Sequence, residues 1–358
     1  VLVALAACGR IGFAPQGTTS GDGGGDGVID GVPDRPNVVF VTASPVNGAL
    51  GGLAGADAAC ASEASAAGLP GTFVAWLSTS TSDARDRLAG SRGWIRPDNV
   101  VAFDTADSLA SFQLRAPLDR DPHGNRVSYA NRAVWTGTQS PGTRSSNTCA
   151  DWTSSTAAGW AGDLSAGQDL WTEDISGTAC STLARLYCME VGHAFPVAPV
   201  LPPGARVAFL SRVAPTSQGL AGMDAVCQAD ANSAGIPGTF LAAVATSTTT
   251  IASRFTAGAP WTRVDGTPLG NLVDGSDPFA FVTQFADGSF SNGSTDIFTG
   301  ATTPTQVAAN NEACVDWTSA ASNKGVRIGW TAFAVAATFW SHQAINCAFG
   351  QSVLCLQQ

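Results

Sequence analysis

The sequence predicts an α+β protein made of two tandem, disulfide-stapled copies of one domain. Length, an internal repeat and the placement of the cysteines predict it. At 358 residues the chain is longer than one ordinary core accommodates and suits two domains. A hydrophobic share of 44% supplies apolar material for packed cores, while a charged share of 13% leaves Ser, Thr, Asn and Gly to cover the surface. Such a surface fits an extracellular soluble protein. Of nine cysteines, Cys8 stands apart and the other eight form two sets of four. An even set with one outlier implies four disulfides plus a special thiol, hence an oxidising compartment.

The repeat is the strongest signal. Leu53-Ala54-Gly55-Ala56-Asp57-Ala58-Ala59-Cys60 returns as Leu220-Ala221-Gly222-Met223-Asp224-Ala225-Val226-Cys227. Ala67-Gly68-Leu69-Pro70-Gly71-Thr72-Phe73 returns as Ala234-Gly235-Ile236-Pro237-Gly238-Thr239-Phe240. Cys60, Cys180 and Cys188 recur 167 residues on as Cys227, Cys347 and Cys355, and Cys149 recurs 165 residues on as Cys314. A short insertion or deletion therefore lies mid-domain. The domains are set at 37–190 and 205–358. Pro196, Pro199, Pro202 and Pro203 crowd the segment 191–204 between them and favour a semi-rigid extended spacer.

The opening of each copy is legible in detail. Val38–Thr42 and Val207–Ser211 are short β-prone runs. The Ala-rich stretch Ala54–Ala67 reads as a helix with Cys60 in its middle, stopped by Gly68. Thr72–Ser78 alternates like a half-buried strand. Ser82 is placed to cap a short helix through Leu88, with Asp83 near its positive end. The latter half of each copy, rich in Gly, Ser and Trp, reads as short strands and long loops.

Ahead of the domains, Val1–Ala7 is an apolar run ending Leu5-Ala6-Ala7-Cys8. It resembles a bacterial lipobox, which implies a truncated signal peptide over 1–8, lipidation of Cys8 and an acyl anchor in the membrane. Gly9 follows where Asp would favour retention in the inner membrane, so outer-membrane anchoring is expected. Residues 9–36 follow as a tether. From Gly17 to Pro36 its Gly-rich composition favours a flexible chain. Asp22, Asp26, Asp30 and Asp34 recur every fourth residue, but a calcium loop counted from Asp22 has Gly24 third and Pro33 twelfth, and the match fails.

Formal net charge is −10, Lys324 is the sole lysine, and the arginines are scattered. Nucleic acid and heparin-type polyanions need a dense cationic patch and are not expected as partners.

Several segments together resemble the endostatin domain of certain collagens, which has a C-type-lectin-like fold. In copy one they are Gly55-Ala56-Asp57 and Cys60, then Gly71-Thr72-Phe73, Val134-Trp135-Thr136-Gly137, Cys149 with Trp152, Cys180, and Leu186-Tyr187-Cys188-Met189-Glu190. In copy two they are Gly222, Asp224 and Cys227, then Gly238-Thr239-Phe240, Phe298-Thr299-Gly300, Cys314 with Trp317, Cys347, and Val353-Leu354-Cys355. A related, functionally uncharacterised domain of bacterial lipoproteins is similar too. Four cysteines allow three pairings. The resemblance implies the nested one: Cys60–Cys188 with Cys149–Cys180, and Cys227–Cys355 with Cys314–Cys347. Endostatin's histidine-rich zinc site has no counterpart in the histidine-free tether, and its heparin-binding arginines have none on this acidic chain. Arg96-Pro97-Asp98-Asn99 echoes the calcium triplet of sugar-binding lectins but lies too early in the domain. No metal and no cofactor are expected.

An enzyme is not expected either. His123, His193 and His342 occupy no shared position in the two copies, and no nucleophile elbow, phosphate loop or zinc-ligand pair occurs. Of ten tryptophans, Trp152 and Trp317, three residues after a cysteine, read as core. Trp94 and Trp261 fall in expected loops and are the candidates for an exposed binding surface. Asp151 and Asp316, in the repeated Asp-Trp-Thr-Ser, are placed to orient a ligand or, alternatively, to pin a loop by bonding nearby backbone donors. The expected function is non-catalytic recognition of an extracellular protein or glycan. The alternatives are a structural envelope protein without a diffusible ligand and an enzyme with an unrecognised site.

Overall fold

The structure, a computed structural model, describes residues 34–256, 258–291 and 296–358. Cys8, the run before it and the tether as far as Pro33 lie outside the described residues. Among the described residues no helix is long and apolar enough to cross a membrane.

Helices and strands mix in both copies around two eight-stranded sheets of the same order. In copy one the sheet runs Val101–Phe103, Trp94–Ile95, Asn37–Val41, Arg185–Val191, Ala133–Trp135, Ala158–Asp163, Ile175–Ala179, and Thr72–Ala75 also pairs with Arg185–Val191. The opening strand Asn37–Val41 lies antiparallel to the closing strand Arg185–Val191, with Phe40 opposite Cys188. In copy two Phe209 of Arg206–Leu210 faces Cys355 of Ser352–Gln357. The two ends of each copy are therefore neighbours at the centre of its sheet.

The helix Gly52–Ala66 buries Ala56, Cys60 and Ala64, and Gly219–Ser233 buries Met223, Cys227 and Ala231. Four-residue steps place each trio on one helix face. Mostly small residues on that face bring the helix close enough for Cys60 to reach Cys188 and Cys227 to reach Cys355, each bridge spanning 128 residues. The smaller bridges Cys149–Cys180 and Cys314–Cys347 span 31 and 33. Helix one ends as the sequence leads one to expect. Gly68 takes φ 72°, its N–H reaches the Ser65 carbonyl at 3.0 Å, and the Leu69 N–H reaches the Ala64 carbonyl at 2.9 Å.

One local expectation is corrected. Arg85–Leu88 is a 3₁₀ turn without a side-chain cap. Ser82 instead closes a tight turn with Thr79, and Asp83 accepts the Arg144 backbone N–H at 2.9 Å.

The two copies pack against each other within Arg35–Gln358, which forms one unit. Ala166 pairs antiparallel with Phe333. The Gly167 N–H donates to the Ala332 carbonyl at 2.7 Å, and the Ala334 N–H donates to the Ser165 carbonyl at 2.9 Å. These residues are equivalent across the repeat, so the bonds are reciprocal and a local twofold axis relates the copies. A second pair of equivalent segments meets beside it. The Phe281 N–H donates to the Arg115 carbonyl at 3.1 Å. The reverse bond is forbidden because Pro117 has no N–H, and Arg96 Nη1 reaches the Phe279 carbonyl instead, at 3.4 Å. Phe281 and Ala334 of copy two are buried in the core of copy one, and Ala116 of copy one in the core of copy two. The proline segment does not stand free. Val197 is buried, its N–H bonds Asp104 at 2.9 Å, and Val200 packs against Gly266.

Candidate functional site: a left-handed turn in both copies

The most unusual backbone among the described residues occurs twice. Cys149-Ala150-Asp151-Trp152 takes φ of 52°, 52°, 54° and 64°, and Cys314-Val315-Asp316-Trp317 takes 47°, 55°, 51° and 65°. Four successive L-residues in the left-handed region form a turn of the disfavoured hand, costing about 1–2 kcal/mol per residue. Such strain persists only where the surroundings over-determine it.

Three devices hold each turn. The smaller disulfide ties its first residue. The buried indole of its last residue donates from Nε1 to a backbone carbonyl: Trp152 to Ser78 at 2.7 Å and Trp317 to Ala245 at 2.8 Å. These rings leave no room for a Cβ at Gly137 or Gly300, which would lie 2.7 and 2.9 Å from them. The aspartate is the third device. Asp151 accepts the Ser80 N–H at 2.7 Å and the Ser80 hydroxyl at 2.6 Å, and Asp316 repeats both bonds with Ser247 at the same distances. The hydroxyl and then the N–H of Ser80 hold the Asp151 carboxyl below the usual carboxylate range. Of the two roles open to these aspartates, pinning a loop is the one their bonds display.

Around this shared frame the copies differ. In copy one the Thr148 hydroxyl caps the turn, accepting the Asp151 N–H at 3.3 Å and donating to Asp151 Oδ1 at 3.0 Å. Copy two has Ala313 at that place, and no side chain caps its turn. An open groove of about 540 Å³ lies there, lined by Ser247, Asn310, Asn311, Ala313, Val315, Asp316 and Lys324 among others. The sole lysine of the chain thus borders the one aspartate of that turn. Val315 is 54% exposed beside it. Sequence reasoning missed this groove. Its signal was the exchange of Thr148 for Ala313 in otherwise matching Cys-x-Asp-Trp motifs, next to an isolated lysine.

Trp94 and Trp261 are corrected. Both are buried, at 0% and 1% exposure. Each opens a short strand parallel to its copy's opening strand, Trp94 facing Asn37 and Trp261 facing Arg206. Trp94 stacks on Phe103 at 4.7 Å and donates to the Glu190 carbonyl at 2.9 Å. Trp261 donates to the Gln357 carbonyl at 2.9 Å, with the Arg206 guanidinium over its ring. They are core anchors, not a binding surface.

A second polar cluster lies along the seam between the copies. Arg96, Arg120 and Arg126 surround the buried Asp119, Tyr129 donates to it at 2.7 Å, and Arg126 also reaches Asp277 of copy two. Burial, then the neighbouring Asp119 charge, pushes the Tyr129 phenol far up. Burial works to raise Asp98, but Arg96 and Arg120 outweigh it and hold this carboxyl low. The cluster is closed by its own partners and serves the packing of the copies. The histidines are scattered: His123 sits in an exposed turn over Asp121, His193 near Glu190, and His342 against the Trp330 ring. Among the described residues no group of three or more His, Cys, Asp or Glu is placed to hold a metal ion.

Comparison with known proteins adds one finding. Residues 43–168, within copy one, match a family described as "Protein of unknown function (DUF1554)". No curated protein matches the chain.

Proposed function

We propose that this chain is a non-catalytic recognition protein of the bacterial envelope, binding an extracellular protein or glycan through the loop end of copy two. The groove beside the left-handed turn carries this reading. Its walls combine amides, a lysine ammonium and an exposed valine on a backbone held rigid by a disulfide, a buried indole and a doubly bonded carboxylate. Binding groups fixed in advance lose little entropy when a ligand arrives. The resemblance to C-type-lectin-like domains supports the same reading, because nested bridges and adjacent chain ends leave the loops between them as the variable surface. An acyl anchor at Cys8 with a Gly-rich tether would present the copies away from the membrane.

The test is a combined protein and glycan array probed with the full chain, repeated with Lys324→Ala and Asn310→Ala. Both side chains are exposed, so neither substitution disturbs the core. Specific signals that fall at least tenfold with either variant are expected. An array without specific signals, or signals indifferent to both variants, overturns the reading and favours a structural envelope role.

A further inference from the structure

We infer that the loop end of copy two docks a protein, through a segment of the partner that presents an apolar side chain beside a carboxylate. The inference rests on the recognition reading above and chooses between its two partner classes.

Exposed apolar side chains gather at this end. Among the described residues ten large apolar side chains are exposed, and Val213, Val307, Val315 and Phe349 are four of them. The smaller bridge draws these four together. Val315 follows Cys314, and Phe349 lies two residues past Cys347, with 5.6 Å between the Cα atoms of the two cysteines. Val213 packs on Gly350, where an added Cβ would meet its Cγ1 at 3.1 Å. The nearby Thr216 hydroxyl donates to the Cys347 carbonyl at 2.8 Å. Val307 precedes Ala308, which lines the groove together with Val315. Scattered apolar residues on a surface are ordinary, whereas a cluster rimmed by polar groups such as Asn310 and Asn311 marks an interaction surface. Copy one does not repeat the cluster. Pro45, Ala150 and Thr182 stand where copy two has Val213, Val315 and Phe349, and Leu183 is exposed in place of Gly350.

Charge supplies the other half of the partner's chemistry. Among the described residues every arginine has an ion pair or a hydrogen bond, and Lys324 has neither. Its carbonyl accepts the Cys347 N–H at 2.9 Å, so the exposed ammonium is carried on the same bridge as Phe349 and Val315. Copy one has Ala157 there, accepting the Cys180 N–H at 2.9 Å. An unpaired ammonium beside apolar area is complementary to a carboxylate with apolar neighbours. A glycan fits less well. The carboxylate at the groove, Asp316, already accepts two bonds from Ser247, and the exposed cluster is aliphatic apart from one phenyl ring. An anionic lipid surface fits less well too, because one lysine offers little attraction to set against a net charge of −10.

The test is selection of a random peptide library, displayed on phage, against the full chain. Enriched peptides are expected to carry an aliphatic or aromatic residue within a few positions of Asp or Glu. Their affinity, measured by fluorescence anisotropy, should fall at least tenfold with Phe349→Ser and with Lys324→Glu. It should stay unchanged with Leu183→Ser, the matching change on copy one. Replacing the acid of a selected peptide by Lys should restore binding to the Lys324→Glu variant. All three side chains are exposed, so the substitutions leave the core intact, and an unchanged Tm checks this. A library without enrichment, or peptides indifferent to Phe349 and Lys324, overturns the inference. Binding to phosphatidylglycerol vesicles that falls with the same two substitutions overturns it as well, in favour of a lipid surface. Glycan signals on the array that depend on Lys324, with no peptide enriched, would sink this inference and leave the recognition reading standing.

Discussion

Glu190 and Gln357 hold one structural place with different chemistry. Each sits near the end of its copy's closing strand and accepts the N–H of the opening strand: Val38 to Glu190 at 2.9 Å, Val207 to Gln357 at 2.8 Å. The bond to the proline carbonyl before the next strand differs. Gln357 Nε2 donates it to Pro237 itself, at 3.0 Å. Glu190 has no donor to offer. Arg35 makes the bond to Pro70, at 3.1 Å, and neutralises the buried carboxylate with a second bond at 2.9 Å.

This exchange predicts a rescue. Arg35→Ala leaves a fully buried carboxylate without its cation and should cost about 3 kcal/mol, the lower end for broken buried pairs because Arg35 is partly exposed. Adding Glu190→Gln copies the arrangement of copy two and should restore stability to within about 1 kcal/mol of the parent. Urea unfolding of the parent, the single variant and the double variant measures this. A double variant no more stable than Arg35→Ala would show that the two places are not equivalent.

The left-handed turns make an unusual prediction for glycine. In most settings a glycine substitution destabilises through the entropy of the unfolded chain. At Val315, with φ 55° and an exposed side chain, it relieves a β-branched residue of the wrong hand. Val315→Gly should stabilise by about 1 kcal/mol. Asp316→Ala should destabilise, since it frees Ser247 and leaves the turn without one of its three holds. Thermal melts of the two variants should therefore move in opposite directions.

Stability should depend on acid in two stages. Burial raises the carboxyl of Asp163, and burial with Asp163 nearby raises Asp174. A carboxyl raised in the folded state favours unfolding while ionised, so stability increases as pH falls from neutrality through these raised values. Asp151 and Asp287, held low chiefly by bonds from Ser80 and Ser289, behave oppositely. Their contribution is complete above the unfolded value near 3.8 and disappears as pH falls through their lowered values. A melting temperature followed from pH 7 downward should rise and then fall. Asp163→Asn should flatten the rise, and an unchanged rise in that variant would contradict the assignment.

The bridges should rank by the loop each closes. In the chain-entropy model a closure of 128 residues constrains the unfolded state by about 5 kcal/mol, and one of 31 by about 4. Cys60→Ala with Cys188→Ala should then lose more stability than Cys149→Ala with Cys180→Ala. The second pair should also release the left-handed turn, which hydrogen exchange at the amides of residues 150–154 would report as lost protection.

Much of the frame was legible because it is written locally. Ala-rich composition and Gly68 mark the helix, and the offset of 167 marks the second copy. The nested pairing in the structure is the one the endostatin resemblance implied. Trp94 and Trp261 misled because strands of two or three residues are too short to show a period. Only the long-range partners Asn37 and Arg206 reveal them as sheet. The left-handed turn left no trace either, since Ala150 and Val315 disfavour that hand and only tertiary contacts impose it. The docking of one copy on the other was hidden for the same reason. Reciprocal bonds such as Gly167 to Ala332 are made by backbone, which composition does not register.

The central claim is that copy two, not copy one, carries the binding surface, at the groove bordered by Asp316 and Lys324. It is tested most directly by counting sites on the full chain with a ligand found on the array, before and after Lys324→Ala. One site per chain, weakened at least tenfold by the substitution, is the predicted result. Two equal sites, or one site indifferent to Lys324, would contradict it.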